Sequence, residues 1–150
     1  MKIYVDADAC PKVIKEILFR VAGRTGVSII FVANKYMMLP AVANLSFVLV
    51  EAGSDVADGR IVELCVAGDM VVTADIPLAA AVVKKGAFAL NPRGEIYDES
   101  NIGQILAMRD LMDSLRGGLM EDGRGGPAPF SAKDRENFAN KLDKFMAGKF

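Results

Sequence analysis

Met1-Lys-Ile-Tyr-Val-Asp6-Ala-Asp8-Ala-Cys10-Pro11-Lys12 is the stretch that decides the fold. Ile3, Tyr4 and Val5 predict a short buried strand. Asp6 ends it, Asp8 follows two residues on, and Pro11 stands where a helix starts. Two carboxylates at the end of a first strand are costly to bury without a cation or hydrogen-bond donors. In open α/β sheets that edge is where ligands bind. The pattern recurs at Thr73-Ala-Asp75, after Met70-Val71-Val72, and at Asp55-Val-Ala-Asp58, after Phe47-Val48-Leu49-Val50. Acids that converge on one sheet edge point to a hard divalent metal, Mg²⁺ or Mn²⁺.

Outward from this stretch the chain alternates strand and helix. Strands are predicted at 2–6, 27–33, 45–51, 69–74 and 87–91, with helices at about 11–24, 57–67 and 77–86. Val13, Ile14, Ile17, Leu18 and Val21 recur at helical spacing. Gly26, Gly68 and Gly86 stand after the helices as stops. The strands are near-continuous apolar runs, as in sheets covered on both faces. The expected architecture is therefore α/β, a parallel sheet of about five strands joined by right-handed crossovers. Residues 34–44 show no clear period. Further on, Asn91-Pro92-Arg93-Gly94 predicts a turn and Ile102 to Arg116 an amphipathic helix. Ser131 with Asp134 predicts the capped start of a last helix that packs by Phe138, Leu142 and Phe145. One domain is expected: a core over 1–116, a mobile Gly/Pro-rich arm over 117–130, and a C-terminal helix over 131–150.

Composition narrows the chemistry. The chain has 150 residues, a net charge of −1 and no histidine. The last point excludes His-based triads and His-built zinc motifs. A near-neutral net charge means that a polyanion partner needs a local basic patch or a metal. The two cysteines, Cys10 and Cys65, are too few and too far apart for a CxxC metal site and predict reduced thiols in a cytoplasmic protein. Cys10 reads as a small packed residue. Asp6 and Asp8 interrupt any N-terminal leader, and the apolar runs are too short for a membrane span.

Each acid also has a plainer explanation. Asp8, Asp55 and Asp75 all precede predicted helices, where aspartate is a favoured N-cap worth about 1 kcal/mol. Asp6 resists that reading because it ends a strand, and Asp58 because it lies a turn inside its helix. The expected metal ligands are Asp6, Asp8, Asp58 and Asp75, with Asp55 as a further candidate. Thr73 has the alternatives of a hydroxyl turned to the site or an ordinary β-branched strand residue. Arg93 is placed by its strand at the same edge, and Arg135 opens the last helix, where backbone N–H groups favour an anion.

These motifs together resemble the YaiI/YqxD family of small uncharacterised bacterial proteins, grouped with PIN-like domains. The carriers are Asp6-Ala-Asp8-Ala-Cys10-Pro11, Asp55-Val-Ala-Asp58, Thr73-Ala-Asp75-Ile-Pro77-Leu78-Ala79, Asn91-Pro92-Arg93-Gly94 and the tail from Gly125 to Phe138. The resemblance runs nearly end to end. It implies a Rossmann-like three-layer fold with the strand order 3-2-1-4-5 and C-terminal helices, and metal-dependent ribonuclease chemistry with Asp6 and Asp75 as the catalytic acids. The middle acidic position falls to Asp58 or Asp55, where PIN nucleases usually carry glutamate. Single-stranded RNA is the implied substrate, hydrolysed with Mg²⁺ or Mn²⁺, and Arg93, Thr73 and Arg135 are candidates for seating its phosphate. Asp6-x-Asp8 also fits a haloacid-dehalogenase-like phosphatase, although Lys84 and Lys85 stand in a helix where that chemistry does not want them. A non-catalytic RNA- or protein-binding module is the third reading.

Overall fold

The computed structural model describes residues 1–53, 55–118 and 129–148, with the side chains of 116–118 left aside. β1 (Lys2–Asp6) passes through a 3-10 turn at Ala7–Ala9 into α1 (Lys12–Thr25), followed by β2 (Ser28–Ala33) and β3 (Leu45–Leu49). Then come α2 (Val56–Leu64), β4 (Met70–Val72), α3 (Ile76–Lys84), β5 (Phe88–Leu90), β6 (Ile96–Tyr97), α4 (Ile102–Gly118) and α5 (Ala132–Met146). The sheet order is β3-β2-β1-β4-β5-β6. The first five strands in that order are parallel, and β6 pairs antiparallel with β5. The implied 3-2-1-4-5 order is present, extended by a short sixth strand that the Asn91–Gly94 turn folds back.

Two layers cover the sheet. Ile3, Val5, Ile29, Phe31, Met70, Val72 and Leu90 point to the face carrying α1 and α5, where Phe138, Leu142 and Phe145 join them. Tyr4, Val32, Val71, Ala89 and Tyr97 point to the other face, against Ile61 of α2 and Leu78, Ala79, Val82 and Val83 of α3. Strand alternation divides the residues between the layers. The crossovers leaving β1 and β4 lie on opposite faces, so these two adjacent strands form the topological switch point, the edge at which open α/β sheets bind their ligands.

Local chemistry explains the differences from the predicted boundaries. The second helix was expected to run to 67 but stops at Leu64. Buried Asp69 accepts the Val66 N–H at 2.9 Å and the Lys2 N–H at 2.9 Å, drawing the chain into a turn. The freed Val62 carbonyl accepts from Lys85 Nζ at 2.6 Å. Gly68 therefore lies in that turn and not at a helix cap, whereas Gly26 caps α1 with φ 76°. The connection over 34–44 carries no helix, and Asn44 Nδ2 ties its end to the Ala22 and Val27 carbonyls. The expected arm over 117–130 lies largely outside the described residues.

Candidate metal-binding acidic site

Asp6 ends β1 beside β4 with no strand between them. It is buried, with 8% of its surface exposed. Thr73, the first residue after β4, is buried beside it and donates its hydroxyl to Asp6 Oδ2 at 3.0 Å. The same hydroxyl accepts the Asp75 N–H at 3.0 Å. Thr73 is thus more than a β-branched strand residue: one oxygen links the ends of β1 and β4 and turns the chain toward α3. Asp75 then caps α3, its Oδ1 accepting from Leu78 N at 2.9 Å. Asp75 is thus an N-cap, and it stands at the switch-point edge beside Asp6 and Thr73 because α3 starts there.

Asp58 arrives from the other direction, one turn inside α2, and hydrogen-bonds to the Asp75 side chain. Its carboxyl is pushed up to about 7, first by burial, then by the negative charges of Asp75 and Asp6, with smaller contributions from that hydrogen bond and from Asp55. Asp58 is therefore protonated in a large fraction of molecules near neutrality. Asp6 is also raised above the ordinary carboxylate range, chiefly by burial, with Asp75 and Asp8 adding to it and the Thr73 hydroxyl opposing it. Asp6, Asp58 and Asp75 thus feel one another's charge. The sequence gives no local sign of the Asp58–Asp75 pair, because it forms only when α2 packs beside α3.

The other candidates stand differently. Asp8 is exposed on the 3-10 turn and accepts the Asn34 N–H at 2.8 Å, so it holds the loop after β2 and caps nothing. The residue at the N-cap of α1 is Pro11. Asp55 occupies the N-cap position of α2 in a left-handed conformation, φ 65°, with no side-chain capping bond. Both sit at the rim. Cys10 is packed, and burial drives its thiol up to about 12, which removes it as a nucleophile.

Arg93 and Arg135, the other expected phosphate seats, are both placed at α5, Arg93 paired to it and Arg135 on it. The Arg93 guanidinium bonds Asp134 Oδ2 at 2.9 Å and lies 6.0 Å from the centre of the Phe130 ring. Asp134 closes the expected capping box with Ser131. Asn91 Oδ1 accepts from the N–H groups of Arg93 and Glu95, and its amide donates to Tyr97 Oη at 3.0 Å. Gly94, at φ +91°, sits so close to α5 that a Cβ would lie 2.6 Å from the Asn137 backbone. The Asn91-Pro-Arg-Gly94 motif is therefore a clasp for the last helix. Arg135 lines a groove of about 570 Å³ between α1 and α5, with Arg20 and Arg24. Lys84 ends α3, at the opposite edge of the sheet from Asp6, and Lys85 follows it, which leaves the phosphatase reading without its lysine.

The donor set is all carboxylate oxygen, which suits a hard divalent cation. The repulsion from Asp75 and Asp6, which adds to burial in raising Asp58, is what such a cation relieves. Among the described residues, no three His, Cys, Asp or Glu side chains are arranged to hold a metal ion as they stand. Among them also, no helix is long and apolar enough to cross a membrane.

Comparison with known proteins bears on the family alone. The chain is 58% identical over 146 residues to a UPF0178 protein of Syntrophotalea carbinolica, covering 97% of both chains. It is 57% identical over 146 residues to one of Maridesulfovibrio salexigens, covering 97% of this chain and 95% of that one. With the UPF0178 protein DP1304 of Desulfotalea psychrophila it shares 56% identity over 147 residues, 98% of each. No solved structure gives a significant match. The family profile described as "Uncharacterized BCR, YaiI/YqxD family" matches residues 4–148, so the chain belongs to the YaiI/YqxD family.

Proposed function

We propose that this protein is a Mg²⁺- or Mn²⁺-dependent phosphodiesterase acting on single-stranded RNA, with Asp6, Asp58 and Asp75 as its centre. The observation that carries this reading is the grouping of these three acids at the switch point, where burial first, and then the charges of Asp75 and Asp6, push Asp58 up to about 7. The choice of RNA is taken from the resemblance to PIN-like domains.

Asp6 and Asp75 would hold the cation, and Asp58 would join them on giving up its proton. Asp8 and Asp55, at the rim, add negative charge. Thr73 fixes the Asp6 carboxylate by its hydroxyl bond and so presets the position of one ligand. A cation bound there lowers the pKa of an attacking water and neutralises charge that builds on the phosphate. No histidine is required for either task. The test is an assay on RNA, single-stranded DNA and a small phosphomonoester, each with Mn²⁺ and with EDTA. RNA cleavage with Mn²⁺, lost in Asp6→Asn and Asp75→Asn proteins that remain folded, supports the proposal. Turnover of the phosphomonoester alone favours a phosphatase, and metal binding with no turnover favours a binding module.

A further inference from the structure

We infer that β3 is a dimerisation edge, whose outer side pairs antiparallel with β3 of a second copy of this chain to make one sheet across both copies. The inference stands apart from the phosphodiesterase reading. β3 is the end strand of the sheet and pairs with β2 alone among the described residues. Ile29 N–H donates to the Asn44 carbonyl at 3.1 Å, and Val50 N–H to the Ala33 carbonyl at 2.9 Å. Alternate residues of a strand turn their main-chain groups to the same side. Ser46 and Val48 therefore also face β2, and Leu45, Phe47 and Leu49 face outward. Of the outward groups, Leu45 N–H donates to the Val42 carbonyl at 3.2 Å. The Leu45 carbonyl and both main-chain groups of Phe47 and of Leu49 have no hydrogen-bond partner among the described residues.

The strand has the make-up of an interior one. Leu45 and Phe47 pack against the core beneath α1 and α5, and Val48 and Val50 against the core beneath α2 and α3. Leu45-Ser-Phe-Val-Leu-Val50 carries no charge and no proline, and no bulge breaks its register with β2. Charges, prolines and bulges are the devices that keep an open edge from pairing. The other edge, β6, is protected by having only 2 residues. Leu49 is 59% exposed, so apolar surface flanks the unpaired groups. Those groups call for a strand, and their pattern is its own complement. With Phe47 opposite Phe47 of a second copy, each Phe47 N–H donates to the other's carbonyl, and each Leu49 N–H to the Leu45 carbonyl across the seam. Leu45 N–H, the outward donor already bonded to Val42, is not needed. Leu45 then lies opposite Leu49, and Ser46 opposite Val48, so no like charges meet. Antiparallel pairing turns the two acidic centres to opposite ends of the joined sheet.

The experiment is analytical ultracentrifugation of the full chain across micromolar concentrations. Wild type should sediment at twice the mass of one chain. Leu49→Pro removes an N–H that bonds nothing within the chain, and Leu49→Lys sets a charge on the edge; each should raise the dissociation constant about thirty-fold or more while the circular dichroism stays that of wild type. The register has its own readout. Directly opposite residues of a hydrogen-bonded antiparallel pair have Cα atoms about 5.5 Å apart, within disulfide range. Phe47→Cys should therefore cross-link to itself on mild oxidation, and wild type should not, because Cys10 and Cys65 are buried. The proposal is overturned if wild type is a monomer throughout, if folded Leu49→Pro and Leu49→Lys proteins stay dimeric, or if a dimeric Phe47→Cys protein does not cross-link. It is also overturned if Leu111→Lys, on the exposed apolar face of α4, dissolves the dimer while Leu49→Lys does not.

Discussion

The Thr73 hydroxyl joins Asp6 across the seam between β1 and β4, donating to its Oδ2 at 3.0 Å while accepting the Asp75 N–H at 3.0 Å. This bond counteracts the burial that raises Asp6. Thr73→Val keeps the shape and removes the hydroxyl. It should cost about 1–3 kcal/mol, because Asp6 and the Asp75 N–H each lose a partner. It should also raise the Asp6 pKa further, which a carboxyl-carbon NMR titration reads directly. An unchanged Asp6 titration would show that the hydroxyl does not govern that carboxylate.

Asp58 sets the pH response of the metal-free protein. Its folded-state pKa of about 7 lies above the ordinary value of 3.8. Between these values the folded chain binds more protons than the unfolded chain, so stability falls as pH rises. The contribution is complete below about pH 4 and is lost as pH passes about 7. Asp58→Asn should flatten this slope in urea denaturation from pH 4 to 8. Metal affinity should move the opposite way and rise through pH 7, because the ligands must lose protons.

The fold and the site were legible in the sequence to different depths. A parallel sheet covered on both faces followed from apolar runs such as Ile3–Val5 and Met70–Val72, whereas the strand order came from the family resemblance. The two-residue β6 is too short for a periodic signal and exists because Asn91 folds the turn. Asp6 and Asp75 share one edge because both follow parallel strands, so their placement was readable. The Asp58–Asp75 hydrogen bond was not, since it depends on how two helices pack. Arg93 shows the converse limit: its strand places it at the edge, but Asp134, 41 residues later, claims its guanidinium.

The clasp on α5 should be a stability element. Arg93→Ala leaves Asp134, only 18% exposed, without its ionic partner and should lower stability by about 1 kcal/mol. Gly94→Ala should cost more than about 1 kcal/mol, from its left-handed backbone and the contact with Asn137. Ser131→Ala should cost about 1 kcal/mol through the lost cap. Chemical denaturation checks all three. Arg93→Ala with unchanged stability and weakened RNA binding would restore its role as a phosphate seat.

Asp6→Asn should stabilise the metal-free protein. It keeps an acceptor for Thr73 while removing a buried charge that faces Asp75 and Asp8. The melting temperature should rise by about 2–4 °C for each kcal/mol gained. A lower melting temperature without metal would mean that the Asp6 charge is favourable where it stands.

The most direct test of the acidic centre is calorimetric titration of the wild-type protein with Mn²⁺ at pH 7.5, beside Asp6→Asn and Asp58→Asn. Wild type should bind with saturable heat and release protons as Asp58 ionises, a release seen by repeating the titration in buffers of different ionisation enthalpy. Asp6→Asn should abolish binding, and Asp58→Asn should weaken it and remove the proton release. Equal Mn²⁺ binding by wild type and Asp6→Asn, or no binding by wild type at millimolar Mn²⁺, would contradict the account.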